Sequence, residues 1–235
     1  MDDAPAPRCH TGYNRPVTPD WLLHLDDIAP VTAPEAEDPA VRASFQELTR
    51  RLASAPLSWD EADAQDVRGR FDARAADWAT RDNPEYRFPL VDALARGGLS
   101  RGGRCIEVGS GTGIQTPTLS GFFDGVLALD LSLEMLSRTP PGRGARVRAD
   151  ASRLPVGDGR VRAVVCVNAF LFAPEYLRAL EPEGAVVFVS TRADRTPIYL
   201  PPEEVVAALR AVDPAFSGVT ARAGQGCWTV ARRGS

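Results

Sequence analysis

Three glycines alternate in 107-EVGSGTG-113, at Gly109, Gly111 and Gly113, and an acid, Glu107, stands two residues before the first. A chain that gives up side chains at alternate positions opens its backbone N–H groups to close approach by a ligand. At the start of a helix, such a turn suits a carboxylate or a phosphate. Three more polar residues recur at near-even intervals. Asp130 is 21 residues after Gly109, Asp150 is 20 after Asp130, and Asn168 is 18 after Asp150. At Asp130 a carboxylate can accept hydrogen bonds from both hydroxyls of a ribose. At Asp150 it can accept from an exocyclic amine such as that of adenine. Glu107, read as an anion, repels a pyrophosphate and favours a cationic amine.

Those intervals are each about one strand plus one helix, which defines the elements that must carry them. Strands are predicted at 104–108, 125–130, 145–149, 161–168 and 185–190, and two more at 217–222 and 227–232. Several are rich in Val, Ile and Leu without alternation, as in a parallel sheet covered on both faces. Helices are predicted between them at about 114–121, 132–138, 174–180 and 201–212. The result is a doubly wound α/β sheet ending in a hairpin. Glu107, Asp130, Asp150 and Asn168 then fall at the carboxyl ends of four strands, where such sheets bind ligands.

The chain before residue 104 has a different character. Residues 1–39 contain seven prolines and read as irregular, with 20-DWLLHLDDI-28 as a short helix. A helix follows at 38–55, and a second at 58–81, started by Ser58 with Glu61 three residues on and broken near Gly69. A third covers about 84–96 and stops at Gly97-Gly98. Residues 1–65 are read as an extension, and 66–235 as the main domain.

Composition narrows the function. The chain has 235 residues, 44% hydrophobic and 25% charged, with a formal net charge of −4. All 27 basic residues are arginines, scattered among acids, and form no stripe for nucleic acid. No apolar run approaches a membrane span, and MDDAPAPRCH lacks the form of a signal peptide, so a cytoplasmic protein with no membrane partner is expected. Cys9, Cys105, Cys166 and Cys227 form no CxxC pair and are read as free thiols. The only histidines, His10 and His24, lie near the start, so no metal site is expected in the rest of the chain.

A dinucleotide turn requires G-x-G-x-x-G and room for two phosphates. Here the run is E-x-G-x-G-x-G, which better matches a ligand with an amino acid end, a ribose and an adenine. S-adenosylmethionine has those parts. On 106-IEVGSGTG-113, 127-LALDLSLEML-136, 149-ADASRLPVGDGRVRAVVCVNAFLF-172 and 184-GAVVFVS-190, the sequence resembles the class I S-adenosylmethionine-dependent methyltransferases. It looks closest to the small-molecule, ubiquinone/menaquinone-biosynthesis-like branch. The resemblance covers roughly residues 66–235. It implies a Rossmann-like seven-stranded sheet of order 3-2-1-4-5-7-6 with strand seven antiparallel. It also implies that Gly109, Ser110, Gly111 and Gly113 line the methionine end of the cofactor. Asp130 would bind the ribose, Leu131 would pack on the adenine, Asp150 and Ala151 would hold its edge, and Asn168 would sit near the sulfonium.

The acceptor is less constrained. Phe71 and Trp78 share a helical face, and Trp78 is a pocket candidate because the family covers its cofactor with a helix. Phe170, Phe172, Tyr176 and Tyr199 follow strands four and five, where an acceptor would enter. The run 168-NAFLF-172 replaces the Asn/Asp-Pro-Pro-Tyr used for exocyclic amines of nucleobases and glutamine amides, so a small-molecule acceptor is expected. The alternatives are a nicotinamide-dependent reductase, which the glycine spacing and the absence of lysine disfavour, and a non-catalytic partner subunit on the same fold.

Overall fold

The computed structural model describes residues 19–28, 39–78, 80, 83–142 and 144–234. The expectations for Cys9 and His10 lie outside the described residues. In chain order the elements are β1 (Leu22–His24), α1 (Pro39–Ser54), α2 (Glu61–Asp72), α3 (Ala75–Trp78), α4 (Phe88–Arg96), β2 (Arg104–Val108) and α5 (Thr116–Ser120). They continue with β3 (Gly125–Asp130), α6 (Leu133–Ser137), β4 (Ala145–Arg148), β5 (Val161–Val167), α7 (Ala173–Ala179), β6 (Leu180–Ser190), α8 (Pro202–Val212), β7 (Phe216–Ala223) and β8 (Gly226–Arg233).

Among the described residues, eight strands form one sheet in the order β1-β7-β8-β6-β5-β2-β3-β4. Strands β2 to β8 reproduce the expected seven-strand order, and β8 runs antiparallel to both β6 and β7. The central strands are apolar at successive positions because both faces are covered. Ile106, Val164 and Phe188 enter one core layer with α7, α8 and α1, while Cys105, Val165 and Val187 enter the other with α4. Each such aliphatic side chain contributes about 1.5–3 kcal/mol by leaving water. Cys105, Cys166 and Cys227 are buried free thiols, as expected.

Register brings the strand ends level. Val108 pairs with Leu129 of β3 on one side and with Cys166 of β5 on the other, and Asp130 pairs with Arg148 of β4. The residues just beyond these pairs therefore share one edge of the sheet. The chain leaves β2 toward β3 on one side and β5 lies on the other, so a crevice opens above the end of β2.

Three expectations for the N-terminal part are corrected. Segment 20–28 is not a helix; it supplies β1, which adds a parallel eighth strand beside β7. Gly218 N donates to Trp21 O at 2.8 Å and Leu25 N to Thr220 O at 2.9 Å, so the open edge of β7 satisfies its backbone with this segment. Helix α2 is capped by Asp60, not Ser58: Asp63 N donates to Asp60 Oδ1 at 2.9 Å, and the Asp63 carboxylate accepts from Asp60 N in return. Pro56 starts a 3-10 turn over Pro56–Ser58, which uses Ser58 and delays the helix by two residues. The break after α2 falls at Ala73-Arg74, beyond Gly69, and α3 then carries Trp78.

Candidate functional site

The turn after β2 has Gly109, Gly111 and Gly113 all at positive φ, 64°, 55° and 75°. At Gly111 a Cβ would stand 3.7 Å from the indole nitrogen of Trp78, so the bare backbone leaves room beneath that ring. Gly113 serves packing instead. A Cβ there would meet Thr139 Cγ2 at 2.5 Å, and Gly113 is not among the residues lining the cavity. The resemblance implies a place for Gly113 beside the methionine end of a cofactor; in the fold its bare Cα packs against Thr139.

Above the strand ends lies a cavity of about 1260 Å³, counting the space at its open mouth. Glu107, Asp130, Asp150 and Asn168 all line it, although they come from four different strand ends. Gly109, Ser110, Gly111, Leu131 and Ala151 line it as well. The register described above is the cause, because it brings successive strand termini to one edge.

Each polar group is held by a specific partner. Glu107 is buried, and Thr116 Oγ1 donates to its Oε2 at 2.6 Å. Burial pushes the Glu107 carboxyl up to about 8, the Thr116 bond opposes this, and the charge of Asp130 adds to it. Glu107 is therefore mostly neutral at pH 7 before any cation arrives, contrary to its reading as an anion. Asp130 accepts from Gly111 N through Oδ2 and from Ser132 N through Oδ1, both at 2.8 Å. Burial also raises the Asp130 carboxyl, while the backbone donors hold it down. This side chain thus fixes the glycine turn as well as facing the cavity. Asn168, at φ 54°, donates from Nδ2 to Thr191 Oγ1 and accepts from Thr191 N, both at 2.9 Å, which ties the ends of β5 and β6 together.

Aromatic rings make up much of the remaining lining. Trp78, Phe170 and Phe172 line the cavity as expected. Phe71 does so too, with its ring centroid 5.9 Å from that of Trp78 in an edge-on contact. Tyr176 and Tyr199 do not line it. Tyr176 lies fully buried in α7, where its hydroxyl donates to Phe170 O at 2.8 Å, so it supports the wall from behind. Tyr199 is half-buried in the link after β6, outside the cavity. Trp59, Gln115 and Arg192 are cavity residues that sequence reasoning missed. None belongs to a local pattern; Trp59 stands 91 positions from Asp150, which it contacts.

The donor set fits a nucleoside with an amino acid tail. Ser110 Oγ and Gln115 Oε1 are buried in the cavity wall without a hydrogen-bond partner among the described residues, and buried polar atoms of this kind require one. The carboxylates that face the cavity add acceptors for hydroxyl and amine groups.

Comparison with known proteins agrees with this geometry. Residues 106–188 match a family model described as a methyltransferase domain. That span runs from β2 into β6 and includes the ends of β2, β3, β4 and β5 that face the cavity. Residues 106–188 are thus similar to a methyltransferase domain. The chain is 36% identical over 97 residues to a Micromonospora griseorubida protein named as a 23S rRNA (guanine-N(1)-)-methyltransferase. The match covers 38% of this chain and 32% of that protein, so the chain spans about a third of the length of this curated relative. Among solved structures, the fold resembles a chain from a complex between the Haloferax volcanii Trm112 methyltransferase activator and a methyltransferase. The TM-score is 0.59, with 17% identity over 70% of this chain and 98% of that one. It also resembles a SAM-dependent methyltransferase from Aquifex aeolicus, with a TM-score of 0.55 and 18% identity over 68% and 96% of the two chains. Among the described residues, no helix is long and apolar enough to cross a membrane.

Proposed function

We propose that this protein transfers a methyl group from S-adenosylmethionine to a small, largely apolar acceptor. The observation that carries this reading is the convergence of Glu107, Asp130 and Asp150 on one cavity that is also lined by aromatic rings. When bound, the cofactor supplies an electrophilic methyl group. Ser110 and Gly111 would hold its amino acid end, Asp130 its ribose, and Asp150 with Leu131 and Ala151 its adenine. Asn168 would stand near the sulfur.

The protein's own contribution to methyl transfer is placement and exclusion of water. Phe71, Trp78, Phe170 and Phe172 offer flat apolar surface on which an acceptor can be held. An apolar wall does not oppose methyl transfer, because the sulfonium charge disappears as the methyl leaves. No histidine from the described residues lines the cavity. This favours an acceptor that needs little deprotonation, such as an amine or an electron-rich carbon.

Titration calorimetry with S-adenosylhomocysteine tests the cofactor assignment, and absence of binding would remove it. The Micromonospora relative motivates a second reading, an RNA acceptor. Net charge −4 and scattered arginines count against that reading. Incubation with methyl-labelled cofactor and ribosomal RNA separates the two: label in the RNA would favour the second.

A further inference from the structure

Trp59 touches both halves of the cavity. Its Nε1 donates to Asp150 Oδ2 at 2.9 Å, and its ring lies 5.8 Å from Phe170 and 5.5 Å from Phe172, centroid to centroid. The backbone around it is fixed on both sides. Arg51 donates from Nη1 to Ser58 O at 3.2 Å, and Asp60 caps α2 directly after it. The tryptophan is thus held in place by α1 and α2 and braced by two aromatic rings from the loop after β5. The Asp150 carboxylate is in turn held by two donors, Trp59 Nε1 on one oxygen and Ser152 N, at 2.8 Å, on the other. Each oxygen retains a lone pair for a ligand.

Building on the reading above, we propose that Trp59 is a positioning residue for recognition of the cofactor's base. Its N–H fixes the rotation of Asp150 so that the remaining lone pairs meet an exocyclic amine. A carboxylate aimed this way accepts from adenine and meets a carbonyl oxygen, as in hypoxanthine, acceptor to acceptor. Without the indole N–H the carboxylate can rotate, and the site loses part of its preference. The N-terminal helices thereby contribute to selectivity for a cofactor that the sheet edge alone would hold less strictly.

The test compares S-adenosylhomocysteine with S-inosylhomocysteine, which carries a carbonyl in place of the amine, by calorimetry on the full chain. The wild-type protein should prefer the adenosine compound. Trp59→Phe, which keeps an apolar ring and deletes the donor, should weaken the adenosine compound by about three- to tenfold, the scale of one net hydrogen bond. It should leave the inosine compound within about twofold, so that the preference narrows. Asp150→Asn in the Trp59→Phe background should then cost less than Asp150→Asn alone, because the two residues act as a unit. Equal weakening of both compounds by Trp59→Phe would show a merely structural role and overturn the proposal, as would no change in either. Failure of the wild-type protein to bind either compound would instead bring down the cofactor assignment itself.

Discussion

The two walls of the cavity are built by different means. On the sheet side, the groups are fixed by backbone: Asp130 is pinned by Gly111 N and Ser132 N, and Asp150 by Ser152 N. On the helical side, Trp59, Phe71 and Trp78 are placed by ring contacts and one long-range side-chain bond. Backbone-fixed groups follow from strand register and do not depend on a particular neighbour's size. Ring-fixed groups depend on which side chains happen to meet. The sheet side should therefore tolerate little change in its turn, and the helical side should tolerate exchange of one apolar ring for another except at Trp59, whose N–H also holds Asp150.

The largest expected effect lies in the buried carboxyl of the sheet side. Glu107 ionises near 4.5 in the unfolded chain and near 8 in the folded one. Between those values unfolding releases a proton, so stability falls as pH rises, by at most about 1.4 kcal/mol per pH unit, and levels off above 8. Glu107→Gln should flatten this decline in urea midpoints measured from pH 5 to 8. An unchanged slope in the variant would mean that Glu107 is not the group responsible.

Next comes the packing glycine. Gly113→Ala combines a positive φ with a methyl group directed at Thr139, and should lower unfolding free energy by about 2–4 kcal/mol in chemical denaturation. Wild-type stability in that variant would show the turn to be softer than the register argument holds. Asp130→Ala removes the acceptor for two backbone N–H groups and should weaken S-adenosylhomocysteine binding by about 1–3 kcal/mol in calorimetry. An unaltered affinity would take Asp130 out of the site. Smallest of all is Leu57→Ser on the helical side. Leu57 is 94% exposed although it stands two residues from Trp59, so the change should stay within about 0.5 kcal/mol in the same denaturation assay. A larger loss would mean that the helical wall relies on contacts beyond its rings.

Legibility in the sequence follows the same division. Strands β2 and β3 fell at their expected limits, because apolar runs ending in an acid or a glycine turn are local signals. The strand order came from the resemblance, since alternation of strand and helix indicates a parallel sheet without giving its order. The helix expected at 20–28 failed because an unsatisfied edge of β7, some two hundred residues away, outweighed local preference. Tyr176 and Tyr199 were placed in the pocket on sequence position alone, and position after a strand does not say which way a ring turns. Trp59 gave no signal, since its partners Asp150, Phe170 and Phe172 are far along the chain.

What the sequence determined by itself was the run of strands β2 to β8, the turn of alternating glycines and the row of polar groups at successive strand ends. These depend on period and spacing, which a linear chain carries within a few residues. Only tertiary structure decided which aromatic rings join the row in one cavity, that Gly113 packs against Thr139, and that burial raises the Glu107 carboxyl. Those outcomes depend on burial and on contacts between distant segments, and both arise only once the helices close over the sheet.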